Sequence, residues 1–213
     1  GSRIALAHRR ADVRAVNADI RAALQERGLL ASGAGEGAAK NDRDADTLGR
    51  EVIYQTNDGK RAFASGDRIV LLENNRELGV KNGMLGRVQA VEADALQIRL
   101  DGSADGRNGA RVISIPVNRY QAFDHGYATT IHKSQGGTVD RTFVMASASM
   151  DRHLAYVAMT RHRDGVKLYV ASDELKNMKA LSASLSRSGA KETTLDYIGA
   201  FAERRGLAEE FGV

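Results

Sequence analysis

Residues 130–137 read Thr-Ile-His-Lys-Ser-Gln-Gly-Gly, a dense run of hydrogen-bonding groups at the end of a strand-like apolar stretch. Gly136 and Gly137 allow backbone N–H groups to approach an anion closely, while Thr130, Ser134 and Gln135 supply uncharged donors. Groups of this kind grip phosphates without fixing a base sequence. The alternative is a glycine turn between two buried strands, with its polar side chains in water. The loop alone leaves both readings open.

Other chemistries find less support. Four of the five histidines, at 125, 132, 153 and 162, fall within residues 125–162, yet no pair has the i, i+4 spacing of a helical zinc site and no HExxH occurs. No metal site is expected. A nucleophilic Ser134 lacks the GxSxG context. With no cysteine there is no disulfide framework, thiolate metal site or cysteine nucleophile, which fits a reducing compartment. A second stretch, YVAMTRHRDGVKLYV at 156–170, places Thr160-Arg161 at the end of a predicted helix leading into a strand. An arginine there is by default a surface ion-pair residue.

The elements around these stretches fall into three blocks. Residues 3–8 read as a strand, and 11–27 as an amphipathic helix with Val13, Val16, Ile20 and Leu24 on one stripe, Asp12 near its start and Gly28 as a stop. Residues 31–47 read as a loop. From 49 to 120 the helical period vanishes: Val52–Tyr54 and Arg61–Phe63 flank Asn57-Asp58-Gly59, and strands follow at 69–72, 96–100 and 112–117. Pro116 points to an edge or a strand end. Short strands with close turns predict a small β-barrel. After 126, strands at 127–131, 142–146 and 166–171 flank a helix at 150–161, so an α/β domain resumes. Phe123 and Tyr127 are read as core rather than base-stacking residues. The tail holds a short helix after 173 and another near 194–204.

The 213 residues carry a net charge of only +4, so the placement of charge matters more than its sum. A 42% hydrophobic share suffices for a core, and no run of about eighteen apolar residues predicts membrane insertion. Gly1-Ser2 ahead of a strand reads as an added leader, so the chain is expected to be part of a longer protein.

TTIHKSQGGTVD and YVAMTRHRDGVKLYV together resemble motifs V and VI of superfamily 1 helicases of the RecD-like branch. LAHRRADVRAVNADIR at 6–21 and GDRIVLLENNRELGVKNGMLGRV at 66–88 extend the resemblance to conjugative relaxase–helicases of the TraA type. It covers most of residues 3–171.

The resemblance implies a RecA-like α/β domain (2A) built from 3–48 and 121–172, interrupted by an SH3-like barrel (2B) at 49–120 and followed by a helical tail at 173–213. It implies that Thr130 and His132 face single-stranded DNA. Lys133 and Ser134 of the same loop are further DNA candidates, with a solvated face as the alternative for Lys133, and Asn75 and Arg76 belong to a polar barrel loop that either meets DNA or is a solvent-exposed turn. Gln135 and Gly136 would lie nearer the nucleotide. Arg161 would be an arginine finger, the catalytic residue of this segment, acting on the γ-phosphate.

Thr138 stands where many superfamily 1 helicases carry a glutamate that contacts the ribose, and GxxxxGK[ST] occurs nowhere in the chain. ATP and Mg²⁺ are therefore expected as cofactors of the longer parent. An upstream RecA-like domain would supply the phosphate-binding lysine and the metal ligands, and relaxase tyrosines would also lie upstream. The segment alone is expected to bind neither cofactor tightly and not to hydrolyse ATP.

Three classes follow: a plasmid-transfer helicase segment, a repair or recombination subunit of the same branch, and a non-enzymatic DNA-binding or secretion-signal module. A bacterial cytoplasmic location and contact with type IV secretion components belong to the first.

Overall fold

The computed structural model describes residues 2–32, 50–101, 111–134 and 138–188. Strand β1 (Arg3–Ala7) and helix α1 (Arg10–Glu26) lead into a β-rich run: β2 (Glu51–Thr56), β3 (Gly59–Ala64), β4 (Arg68–Leu71), β5 (Leu85–Val91), β6 (Ala95–Leu100), β7 (Val112–Pro116) and β8 (Phe123–His125). Then come β9 (Ala128–Thr130), a 3-10 turn (His132–Ser134), β10 (Val139–Ala146), α2 (Arg152–Met159), β11 (His162–Val170) and α3 (Met178–Ser186). The loop expected at 31–47 lies mostly outside the described residues, and the helix expected near 194–204 lies wholly outside them.

β1 pairs in parallel with β9 on one side and β10 on the other, and β10 pairs in parallel with β11. The four-stranded order β11-β10-β1-β9 therefore joins the two ends of the chain into one sheet, as the return of α/β periodicity predicts. α2 and α3 cover one face, where Ile4, Leu6, Val144 and Ala146 pack against Leu154, Val157, Ala158 and Leu181.

Between the two parts, β7-β6-β5-β4-β8 form an antiparallel sheet and β2-β3 a separate hairpin. Both contribute to one core containing Tyr54, Phe63, Ile69, Leu71, Ile98, Ile115 and Phe123. Phe63 and Phe123 meet edge-on at 5.6 Å. Pro116 ends β7, the edge strand, where its missing N–H costs no ladder bond.

The sequence pattern assigns no strand to Leu85–Val91, the segment that holds Gly86. Here the glycine is a packing requirement: a Cβ would sit 2.6 Å from Ile98 Cγ2 and 2.8 Å from the Arg99 carbonyl oxygen.

Helix α1 departs from expectation. Val13, Val16, Ile20 and Leu24 are only half-buried, and the buried positions are Asn17 and Arg21. Asn17 gives its amide to the Ala128 carbonyl at 3.1 Å and accepts from the Ala128 N–H at 2.8 Å, satisfying the outer side of edge strand β9. Arg21 reaches the β-rich module, pairing with Glu51 at 2.6 Å and with Asp67, which is fully buried, at 3.1 Å. Asp12 does not cap the helix; it pairs with Arg9 at 2.7 Å. No helix among the described residues is long and apolar enough to cross a membrane.

Candidate nucleic-acid and nucleotide site

The motif residues lie at two ends of the parallel sheet. At the carboxyl end, Ile131 prolongs β9 by donating its N–H to the Ala7 carbonyl at 3.0 Å, and its side chain is fully buried. That anchor turns the chain outward. Thr130 Oγ1 accepts from the Lys133 N–H at 3.3 Å, and the Ser134 hydroxyl donates to the Ile131 carbonyl at 2.7 Å. Both hydroxyls thus shape the turn, while His132 and Lys133 are exposed. Gln135 and Gly136 lie outside the described residues.

Other groups converge on this end without having been singled out in the sequence. The His8 ring lies 6.0 Å from His132, and its Nδ1 is 2.9 Å from Ser149 Oγ. α1 starts directly after β1, so Arg10 stands at a helix N-terminus, and a cleft lined by Arg10, Arg14, Thr130 and Lys133 runs beside it. The available signal was position: His-Arg-Arg follows the first strand of a parallel sheet, where open α/β sheets gather their ligands. Arg9 is committed elsewhere. It holds Glu174 at 2.5 Å. The Ala148 N–H first and Arg9 second keep the Glu174 carboxyl below its usual range.

Asn75 and Arg76 belong to the loop between β4 and β5. Asn75 exchanges backbone bonds with Val80, and its side-chain oxygen accepts from the Leu78 N–H at 3.0 Å. Its amide oxygen therefore builds the turn, leaving Arg76 as the exposed group. The loop reaches the motif turn: a Cβ on Gly83 would lie 3.7 Å from the Lys133 carbonyl oxygen.

Arg161 lies at the amino end of the sheet. Its carbonyl accepts from the Val139 N–H at 3.0 Å, where β10 and β11 begin. Its Nε donates to the Val157 carbonyl at 3.0 Å and its Nη2 to Thr160 Oγ1 at 3.3 Å, so the half-buried guanidinium closes the C-terminus of α2. No carboxylate pairs with it among the described residues, whereas Arg163 faces Asp140 at 3.4 Å. Met145, beside Ala7, is six residues along β10 from Val139, a rise of roughly 20 Å. In sequence, only residues 135–137 separate Ser134 from Thr138.

The β-rich module is tied to this sheet by buried charge. Asp67 accepts from Arg21, from the Ala64 N–H at 2.8 Å and from the Tyr127 hydroxyl at 2.6 Å. Burial, with the adjacent Asp67 charge, pushes the Tyr127 phenol far above its ordinary range. Tyr127 and Phe123 are core residues, as expected.

Comparison with known proteins agrees with this layout. The UvrD-like helicase C-terminal domain family matches residues 125–169, which contain the first motif stretch and all but the last residue of the second. The conjugal transfer protein TraA of Agrobacterium fabrum (strain C58) is 45% identical over 210 residues, covering 95% of this chain and 17% of that protein. The ATP-dependent RecD2 DNA helicase of Deinococcus radiodurans is 34% identical over 103 residues, 46% of this chain and 13% of that protein. A Pif1 helicase from Bacteroides, solved in complex with ADP-AlF3 and ssDNA, matches with a TM-score of 0.53 at 21% identity, over 97% of this chain and 46% of that one. That likeness concerns the fold, which is RecA-like α/β. The chain spans about 17% of the length of its TraA relative. Over nearly all of its length the chain is similar to one part of the TraA conjugal transfer proteins, and its motif region is similar to a helicase C-terminal domain.

Proposed function

We propose that the chain is the second RecA-like segment of an ATP-dependent DNA helicase within a conjugative relaxase–helicase. The observation that carries this reading is the placement of motif residues at opposite ends of the parallel sheet, His132 and Lys133 at the carboxyl end and Arg161 at the amino end. A motor needs such an arrangement, because a change at the nucleotide must be felt at the strand. In this reading His132 and Lys133 meet the single-strand backbone, and Thr130 and Ser134 hold the turn that presents them. Arg76 approaches from the β-rich module, which we take as the SH3-like insertion. Gln135 and Gly136 pass the nucleotide.

The fit to ATP is partial. Arg161 offers a planar, permanently charged guanidinium with no carboxylate competing for it among the described residues, suited to phosphoryl oxygens. No group of three His, Cys, Asp or Glu suited to a metal occurs among the described residues. We therefore assign Mg²⁺ and the β-phosphate contacts to a companion RecA-like domain. ATP bound between the domains would supply the free energy of hydrolysis, and Arg161 would stabilise charge spreading over the transferred phosphoryl group. The reading carries with it a cytoplasmic place in a bacterium.

The test uses a full-length protein containing this segment. Arg161→Ala should slow single-strand-stimulated ATP hydrolysis by about 10³-fold, with DNA affinity changed only a few-fold. Because Arg161 also closes α2, the same variant should lose up to about 1 kcal/mol of stability. Arg161→Lys should recover the melting temperature but not the rate, since an ammonium lacks the guanidinium fork. Arg163→Ala should keep most activity. A folded Arg161→Ala enzyme with a normal hydrolysis rate would overturn the assignment.

A further inference from the structure

Three arginines stand directly opposite one another on adjacent strands of the β-rich module. Arg68 on β4 is in register with Arg87 on β5, and Arg87 with Arg99 on β6. Their chain neighbours Ile69, Val88 and Ile98 are buried in the core, so the arginines share the opposite face. Strands lie about 4.7–4.9 Å apart, and like charges opposed at that spacing destabilise a sheet. One carboxylate relieves the row: Asp101 takes Arg68 at 2.8 and 2.5 Å. Arg87 donates to the Gly66 carbonyl at 3.0 Å. Arg99 donates to the side-chain oxygen of Gln89 at 2.9 and 3.0 Å in the amide orientation that satisfies both groups. Both keep their charge without an acid beside it among the described residues.

The surroundings repeat the theme. Gln97 and Ser114 pair in register on the same face and add no aromatic ring, with the Gln97 amide donating to Glu92 at 2.7 Å. The groove that this face borders is lined, among the described residues, by seven arginines and lysines and a single acid, Asp101. A fold that keeps a repulsive row exposed retains it at a cost in stability, which points to a ligand that neutralises it.

We propose that the Arg68–Arg87–Arg99 row is a second nucleic-acid contact, a site for a phosphodiester backbone on the outer face of the module. It is separate from the His132–Lys133 end of the parallel sheet. Planar guanidiniums match phosphate oxygens bidentately, and glutamine and serine are common uncharged phosphate donors. The bordering groove also carries apolar side chains, Leu85, Phe143 and Tyr169 among them, so an acidic peptide is the competing occupant that the test must separate. The row itself carries no aromatic ring, so it holds backbone and leaves bases unread. The proposal rests on the helicase reading only in taking nucleic acid as the ligand.

The test uses Arg87→Gln/Arg99→Gln in this chain, since both side chains are exposed. Binding of a labelled 20-nucleotide oligo-dT and of a 20-base-pair duplex is followed by anisotropy over a salt series. Losing two phosphate contacts should lower the slope of log affinity against log salt by roughly 1.4 for the single strand or 1.8 for the duplex. The form that shows the drop is the one the row holds. The melting temperature should stay level or rise as repulsion is relieved. Unchanged slopes and affinities on both DNA forms would overturn the proposal, as would a loss of binding accompanied by a lower melting temperature. Arginine-dependent binding of polyglutamate, with neither DNA affected, would also overturn it by identifying an acidic partner. His132→Ala/Lys133→Ala separates the two sites. If only that variant weakens DNA binding, the row fails and the sheet-end reading stands; if only the arginine variant does, the reverse holds.

Discussion

The β-rich module and the parallel sheet bury themselves in different ways. The module closes over its own aromatic and branched side chains, with Phe63, Ile69, Leu71, Phe123 and Ile115 almost wholly inaccessible. The sheet is aliphatic on the face under α2 and α3, but on its other face Phe143 and Met145 are only half-buried and Tyr169 is 54% exposed. No residue of β11 is buried. A closed core tolerates attachment and displacement as a unit. An open sheet whose β11 edge has no neighbour among the described residues is the body that presents surface to something else. The junction between the two bodies is polar, running from Arg21 through Asp67 to Tyr127.

That junction is where the comparison breaks most readily. Asp67→Ala would leave Arg21 buried beside Glu51 alone and would also remove the acceptor for the Ala64 N–H and the Tyr127 hydroxyl. Breaking one side of a buried ion pair costs about 3–5 kcal/mol, and the two further orphaned donors place this variant at the upper end. Urea denaturation should show a large fall in midpoint. Tyr127→Phe removes one bond and should cost about 1 kcal/mol. An Asp67→Ala loss below that of Tyr127→Phe would mean that the bodies are held together by something other than this charge.

A second pair of substitutions sharpens the contrast between closed and open packing. Phe63→Ala empties the centre of the module and should cost about 3–5 kcal/mol. Tyr169→Ala, on the open face, should change stability by no more than about 0.5 kcal/mol. Equal losses at the two positions, read from the same urea curves, would show that the open face is covered in solution.

The sequence made the outline legible where a local signal was strong. Asn57-Asp58-Gly59 marked the β2–β3 hairpin, Pro116 marked an edge, and the return of apolar strands after 126 announced the shared sheet. It misled where tertiary contact overrode the local pattern. The apolar stripe of α1 reads as its core face, yet Asn17 and Arg21 are the buried positions, because an edge strand and a buried aspartate await them. β5 was not read from the sequence, and the reason for its Gly86 lies on β6. The expectations for His132, Lys133 and Arg161 came from the resemblance of their stretches to known motifs, whereas His8 and Arg10 join the carboxyl end only through the parallel pairing of β1 with β9. Asn75 carried the right chemistry, but its amide oxygen is spent within its own turn.

The last expected effect concerns pH and lies where the module meets the sheet. His125 ends β8, its ring 4.5 Å from Phe63 and its Nε2 2.8 Å from the Ala62 carbonyl. Burial pulls its pKa below the ordinary 6.5, against the opposing pull of the Ala62 carbonyl and of Asp67 and Asp124, while Arg21 adds to the lowering. The unfolded chain therefore takes up this proton first as pH falls through about 6.5. Stability is fully present above that value and declines as pH drops toward the folded pKa. Asp140 and Glu174, both held below their ordinary 3.8 and 4.5, add their own losses only in more acidic solution. The window from about pH 7 to 5 thus isolates the histidine from these two carboxyls. The melting temperature should fall by a few degrees across it, at about 2–4 °C for each kcal/mol in a chain of this size. His125→Gln keeps a donor toward Ala62 but cannot become charged, so its melting temperature should be nearly flat over the same window. An equally steep decline in the variant would place the titrating group elsewhere and would free the junction of any role for His125 beyond packing.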